Sequence, residues 1–191
     1  MDWDFIESKM NTLQKDDLWE FLSSDEIQKG KFSVLIKIAD HLRLSRKFIM
    51  SLDFTGWILE KCWNRKQLAT LLYVRGDIYM DSYRYKEAII CYSLLTEIGP
   101  QDTMDIIYNN RGVAHWELGE HEAAMRDFQE SIKLNPVNKY ALYGAGEMHL
   151  IAKAYDEAIK CFQRVLAIDS KYAYTSEGME KCLKAKSEIT Q

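Results

Sequence analysis

Three glycines, Gly76, Gly112 and Gly146, each stand twelve residues before an alanine: Ala88, Ala124 and Ala158. Each alanine stands four residues before an aromatic, Tyr92, Phe128 or Phe162, and eight residues further on come Pro100, Pro136 and Ser170. The apolar residues between these marks recur at three- and four-residue steps, which is the period of a helix face. A small residue, a small residue and a large ring at fixed offsets describe two helices that approach closely around one aromatic. A unit of that kind cannot bury its apolar face alone, so copies of it stack.

The glycines are 36 and then 34 residues apart. On that period the copies run over 69–102, 105–138 and 139–172. The extra residues fall in Gln101-Asp-Thr-Met104, between copies, where a loop lengthens at small entropic cost. The second helix of each copy starts near Glu87-Ala-Ile, Ala123-Ala-Met or Glu157-Ala-Ile and closes at Ile98, Leu134 or Ile168. Proline or its substitute then ends the element.

This pattern resembles the tetratricopeptide repeat, whose unit is a helix–turn–helix of about 34 residues. Arg75 and Arg111 stand where many such repeats have leucine, His115 and His149 where tyrosine is usual, and Ser170 where proline is usual. The resemblance implies an all-α chain: a right-handed helical solenoid over 66–172, an N-terminal helical region over 1–65 and a C-terminal capping helix over 173–191.

Composition agrees with a helical chain and narrows its chemistry. Nine glycines and two prolines leave little material for strands and tight turns. A net charge of −4 disfavours nucleic acid, which needs a concentrated positive field. No apolar run approaches the ~20 residues of a membrane helix, and no secretory leader is visible. Cys62, Cys91, Cys161 and Cys182 are far apart, which fits a reduced, cytoplasmic setting. Cys91 and Cys161 share a repeat position and read as small hydrophobes. His115 and His149 also share a position, but no third ligand stands at metal spacing, so neither a metal nor another cofactor is expected. His41 and His121 read as surface or helix-end residues. No phosphate loop, serine elbow or catalytic cysteine motif appears, and no enzymatic activity is expected.

The ends are less regular. In residues 1–65, Trp3, Ile6, Met10 and Leu13, then Leu18, Trp19, Phe21 and Leu22, then Val34, Leu35, Ile38, Ala39 and Leu42 form apolar faces. Ser23, Ser24, Asp25 and Glu26 offer a helix start, and Thr55 is expected to cap a helix carrying Trp57, Ile58 and Trp63. Three or four helices result, one pair of them a degenerate repeat. Arg43, Arg46 and Lys47 read as a solvated basic loop. Two roles are open for the region: a cap on the array, or an amphipathic Trp3–Leu22 segment that joins a homodimer or plugs the groove. At the other end, Tyr174, Met179, Cys182 and Leu183 are expected to face inward, with Lys181, Lys184 and Lys186 outward.

The family resemblance further implies that the first helices line a groove. Position by position it offers Thr70, Tyr73, Asp77, Met80 and Asp81 in the first repeat. It offers Ile106, Asn109, Val113, Trp116 and Glu117 in the second, and Tyr140, Tyr143, Glu147, Leu150 and Ile151 in the third. Aromatic and aliphatic side chains fringed by acids suit a protein or peptide with bulky apolar and basic side chains. The basic clamp by which some relatives grip acidic chaperone tails is not expected, because Asp77 would repel a carboxylate. Three repeats behind a helical N-terminus also resemble the cytosolic chaperones of bacterial secretion systems. An adaptor or chaperone-like role is therefore expected. A self-assembling scaffold, or an inhibitor of a basic partner, is the alternative.

Overall fold

The computed structural model describes residues 3–22, 24, 27, 30–60 and 64–189. Among these the chain forms α-helices and no strand, and it divides into two compact units. The first, residues 1–98, holds α1 (Trp3–Thr12), α2 (Lys15–Leu22), α3 (Phe32–Leu44), α4 (Phe48–Leu59), α5 (Arg65–Asp81) and α6 (Tyr85–Ile98). The second, residues 99–191, opens with a 3-10 turn (Gln101–Thr103). It continues through α7 (Met104–Glu117), α8 (His121–Leu134), α9 (Lys139–Ile151), α10 (Tyr155–Ile168) and α11 (Thr175–Ile189). The expectations placed on the side chains of Trp3 and Trp19, on Ser23, Asp25 and Glu26, and on Cys62 and Trp63 lie outside the described residues.

One turn is used repeatedly. Between α5 and α6, Tyr83 N–H donates to the Met80 carbonyl (3.0 Å) and Arg84 N–H to that of Tyr79 (2.8 Å). Gly119 and Glu120 do the same to Trp116 (2.8 Å) and His115 (2.9 Å), and Lys153 and Ala154 to Leu150 (3.0 Å) and His149 (2.8 Å). The final bond of each set spans six residues and satisfies a carbonyl that the helix end leaves open. It requires a left-handed residue at the middle position, and φ there is +60° at Tyr83, +76° at Gly119 and +60° at Lys153. Only Gly119 takes that conformation without a side-chain penalty.

The same turn joins α3 to α4. Arg46 N–H reaches the Arg43 carbonyl (2.9 Å), Lys47 N–H that of Leu42 (2.8 Å), and Arg46 has φ +57°. Helix α4 therefore begins at Phe48, and Thr55 lies inside it, fully buried. The expected cap at Thr55 is thus corrected: its hydroxyl donates back to the Leu52 carbonyl (3.0 Å) and accepts from Arg75 (3.0 Å). Of the basic trio, Arg46 is exposed on the turn as expected, while the other two are corrected. Arg43 is in the last turn of α3 and pairs with Asp40 and Asp81, while the Lys47 ammonium donates to the Met10 carbonyl (2.9 Å).

Packing explains the small residues. Tyr92, Phe128 and Phe162 are wholly buried, as are Ala88, Ala124 and Ala158. A Cβ on Gly76 would lie 2.6 Å from the Tyr92 ring, on Gly112 2.9 Å from Phe128, and on Gly146 2.6 Å from Phe162. A second series follows the same rule. A Cβ on Gly144 would lie 2.5 Å from the Phe128 ring, and one on Gly178, thirty-four residues later, 2.8 Å from that of Phe162. Each of these two rings is therefore held between the helix before it and the helix after it.

In the first unit, Ile6, Met10, Leu18 and Leu22 of α1 and α2 are buried in one core with Leu35, Ile38, Leu42, Phe54, Ile58, Leu71 and Ile78. In the second, α11 applies Gly178, Cys182 and part of Met179 to Ala158 and Phe162. Tyr174 and Leu183, expected inside, are exposed. The buried stripe runs through Thr175, Gly178 and Cys182, which leaves Leu183 a further 100° around the helix and Tyr174 ahead of its start. Lys181, Lys184 and Lys186 face outward, with Lys181 on Glu177 and Lys186 on Asp156.

Candidate peptide-binding faces

Each unit presents its own part of the predicted set. On α5, Tyr73, Asp77 and Met80 are half-buried. Asp77 accepts a hydrogen bond from the Tyr92 hydroxyl at 2.8 Å. Burial pushes its carboxyl above the usual carboxylate range; that bond and Arg43 pull the other way, and Asp81 and Asp40 add to the push. One turn along, Asp81 is held by Arg43 Nη1 at 2.5 Å, and the same guanidinium binds Asp40 through Nε (2.9 Å) and Nη2 (2.7 Å). The acids around Arg43 and Asp77 thus divide into one shielded carboxyl and two neutralised by a single arginine. The sequence places Arg43 in a solvated loop because an arginine at a helix end resembles any solvated charge.

In the second unit the predicted residues lie on α7 and α9, which pack side by side. Asn109 is only 8% exposed. Its Nδ2 donates to Asn110 Oδ1 (3.2 Å), while its own Oδ1 is buried with no protein donor. One turn and two turns on, Val113 and Trp116 lie partly buried against Ala124, Phe128, Ala141, Ala145 and Met148. Tyr140 is 56% exposed. Tyr143 is half-buried, its ring 5.8 Å from Phe162 and 5.5 Å from Tyr172. Burial and the neighbouring Glu147, whose carboxylate takes its hydrogen bond, raise the Tyr143 phenol far above its ordinary value. Tyr143 is therefore a neutral donor at every physiological pH.

Tyr172 was missed. Its ring stands 5.8 Å from Tyr140, and the Lys139 ammonium lies 5.4 Å and 5.3 Å from those two ring centres while pairing with Asp169 at 2.7 Å. The residue precedes α11 and occupies no first-helix position, so the repeat pattern carries no mark of it.

His115 Nδ1 is 2.6 Å from Glu120, and Arg111 grips Asp127 with two bonds of 2.8 and 2.7 Å. Among the described residues no group of three His, Cys, Asp or Glu could hold a metal. Burial pushes the Cys91 thiol up to about 11 and those of Cys161 and Cys182 upward, so all three stay protonated and inert. No helix of the described residues is long and apolar enough to cross a membrane.

Two family models, both described as tetratricopeptide repeat, match residues 69–102 and 109–173. Human tetratricopeptide repeat protein 4 is 30% identical over 113 residues, 58% of this chain and 29% of that one. The Hsp70-Hsp90 organizing protein 3 of Arabidopsis thaliana is 26% identical over 109 residues, 57% of this chain and 19% of that one. The chain thus spans under a third of the length of these curated relatives. Among solved structures, the MamA protein superposes with a TM-score of 0.70 at 21% identity, covering 82% of each chain. The first TPR of Spaghetti (RPAP3), bound to the HSP90 peptide SRMEEVD, gives 0.60 at 24% identity, covering 64% of this chain and 95% of that one.

Proposed function

Because the chain belongs to the tetratricopeptide repeat family, a family of protein-interaction modules, we propose that it is an adaptor or chaperone-like protein holding a peptide with apolar and basic side chains. The face formed by α7 and α9 is the contact surface in this reading. The observation that carries it is Asn109: a buried carbonyl oxygen with no protein donor is costly, and a rotation of the side chain that opens it to a peptide N–H would satisfy it. Val113, Trp116 and Tyr140 offer apolar contact around that bond. Glu117 and Glu147 favour a lysine or arginine in the ligand. On α5, Tyr73, Asp77 and Met80 provide the same mixture of ring, acid and thioether.

The peptide held by RPAP3 is acidic, and this chain is a poor match for such a tail. None of Tyr73, Asp77, Met80, Asn109, Val113, Trp116, Tyr140, Tyr143 and Glu147 is basic. Within the N-terminal region we read α3 and α4 as a degenerate repeat, since they use the repeat's own turn, and α1 and α2 as a cap on its apolar face.

Selection of random peptides on the immobilised full chain tests the reading. Peptides combining large apolar residues with Lys or Arg should be enriched, and lost on the Trp116→Ala, Tyr140→Ala double variant. Enrichment of peptides with acidic C-termini would overturn the assignment.

A further inference from the structure

The three repeats serve as controls for one another on their outward faces. At the sixth and tenth residues of the second helix, the second repeat carries Arg126 and Glu130 and the third Lys160 and Arg164. The first repeat carries Ile90 and Leu94 at these positions, 60% and 44% exposed. They are one turn apart on the same face of α6. Beside the start of that helix, Tyr83 puts a largely exposed ring on the left-handed turn position that Gly119 occupies in the next repeat. None of these side chains is needed for the repeat to fold, since its sisters fold with charges or glycine there.

The charges that flank the apolar pair are arranged against the helix's own interest. Lys86 lies in the first turn of α6 and Glu97 in the last, and both are exposed; the favourable first-turn acid, Glu87, is taken up by Arg84 (2.8 and 2.5 Å). A cation at the positive end and an anion at the negative end oppose the helix dipole. They make sense across a two-fold axis. With a second α6 antiparallel to the first and the axis between Ile90 and Leu94, each Lys86 faces the partner's Glu97, and the four apolar side chains meet between them.

We infer that the outer face of α6 pairs two copies of this chain, independently of the peptide-binding reading. Self-complementarity of charge about the midpoint of the apolar pair is what selects a second copy over another protein. One crossed helix pair buries less than the ~1,200 Å² of a stable interface, so the dimer is a weak, reversible one.

Sedimentation of the full chain over a micromolar-to-high-micromolar series tests this. The wild type should pass from monomer to dimer. Ile90→Arg with Leu94→Glu, the residues of the second repeat, should weaken dimerisation by at least about 100-fold with an unchanged melting curve. Lys86→Glu and Glu97→Lys should each weaken it alone and restore it together. A wild type that stays monomeric throughout overturns the proposal. So does a dimer indifferent to the Ile90/Leu94 change, or a charge-swapped double variant that does not recover.

Discussion

At the scale of single residues, what a repeat position demands depends on what faces it. Arg111 and Asp127 form a bidentate pair, with Asp127 buried, in the second repeat. The corresponding residues of the third are Ala145 and Cys161, both apolar in character, and of the first Arg75 and Cys91. With Cys91 where the second repeat has Asp127, Arg75 instead binds the Leu52 carbonyl (3.2 Å) and the Thr55 hydroxyl (3.0 Å) of α4, and the Tyr79 hydroxyl (2.9 Å) one turn along its own helix. Arg111→Ala should therefore cost ~3–5 kcal/mol by leaving the Asp127 carboxylate buried with only the His115 ring nearby, at 3.9 Å. Adding Asp127→Cys, which copies the third repeat, should recover most of that loss in a denaturant titration. Asp77 makes the opposite case. Its carboxyl titrates above the usual range in the folded chain, so the contribution it makes to stability is present below that range and is lost as pH rises through its raised value. Asp77→Asn keeps an acceptor for Tyr92 and removes the buried charge. It should raise stability at neutral pH, and the gain should vanish under acid conditions where aspartate is protonated.

At the scale of elements, the parts written as contrasts of size were readable in advance. The Gly–Ala–aromatic series located three helix pairs, and α6, α8 and α10 end at Ile98, Leu134 and Ile168 as expected. The turn at Ser45-Arg-Lys47 was not readable, because its left-handed residue is an arginine and no glycine or proline marks it. That omission produced the misplaced Thr55 cap. Gly144 and Gly178 were overlooked because only two copies carry that glycine, and Tyr172 because it lies between helices. The cap reading of α1 and α2 belongs at this scale. Their four buried side chains, Ile6, Met10, Leu18 and Leu22, represent roughly 6–12 kcal/mol of gross burial. Removing residues 1–22 should lower the melting temperature of the first unit sharply and expose Leu35 and Leu42 to a hydrophobic dye. A truncated chain that melts like the intact one would assign these helices to a different task.

At the scale of the molecule, two surfaces differ in their physical logic. The α7–α9 face leaves the Asn109 Oδ1 without a protein donor and carries Trp116, Tyr140 and Tyr143 on the same two helices. The outer face of α6 carries apolar residues where its sister helices carry charge. Both are departures from what folding alone requires, and function is the reason offered for each. The central claim is that Asn109 is reserved for a ligand. The most direct measurement is a nitrogen-detected titration of the labelled full chain with an apolar, basic peptide from the selection, followed at the Asn109 side-chain amide and the Trp116 indole, with Asn109→Ala in parallel. The account predicts that both signals shift on binding. It also predicts that Asn109→Ala weakens the peptide by about 10-fold or more while leaving the free protein no less stable, since an unsatisfied group has been removed. Peptide binding that leaves the Asn109 and Trp116 signals in place, or that Asn109→Ala does not weaken, would contradict it.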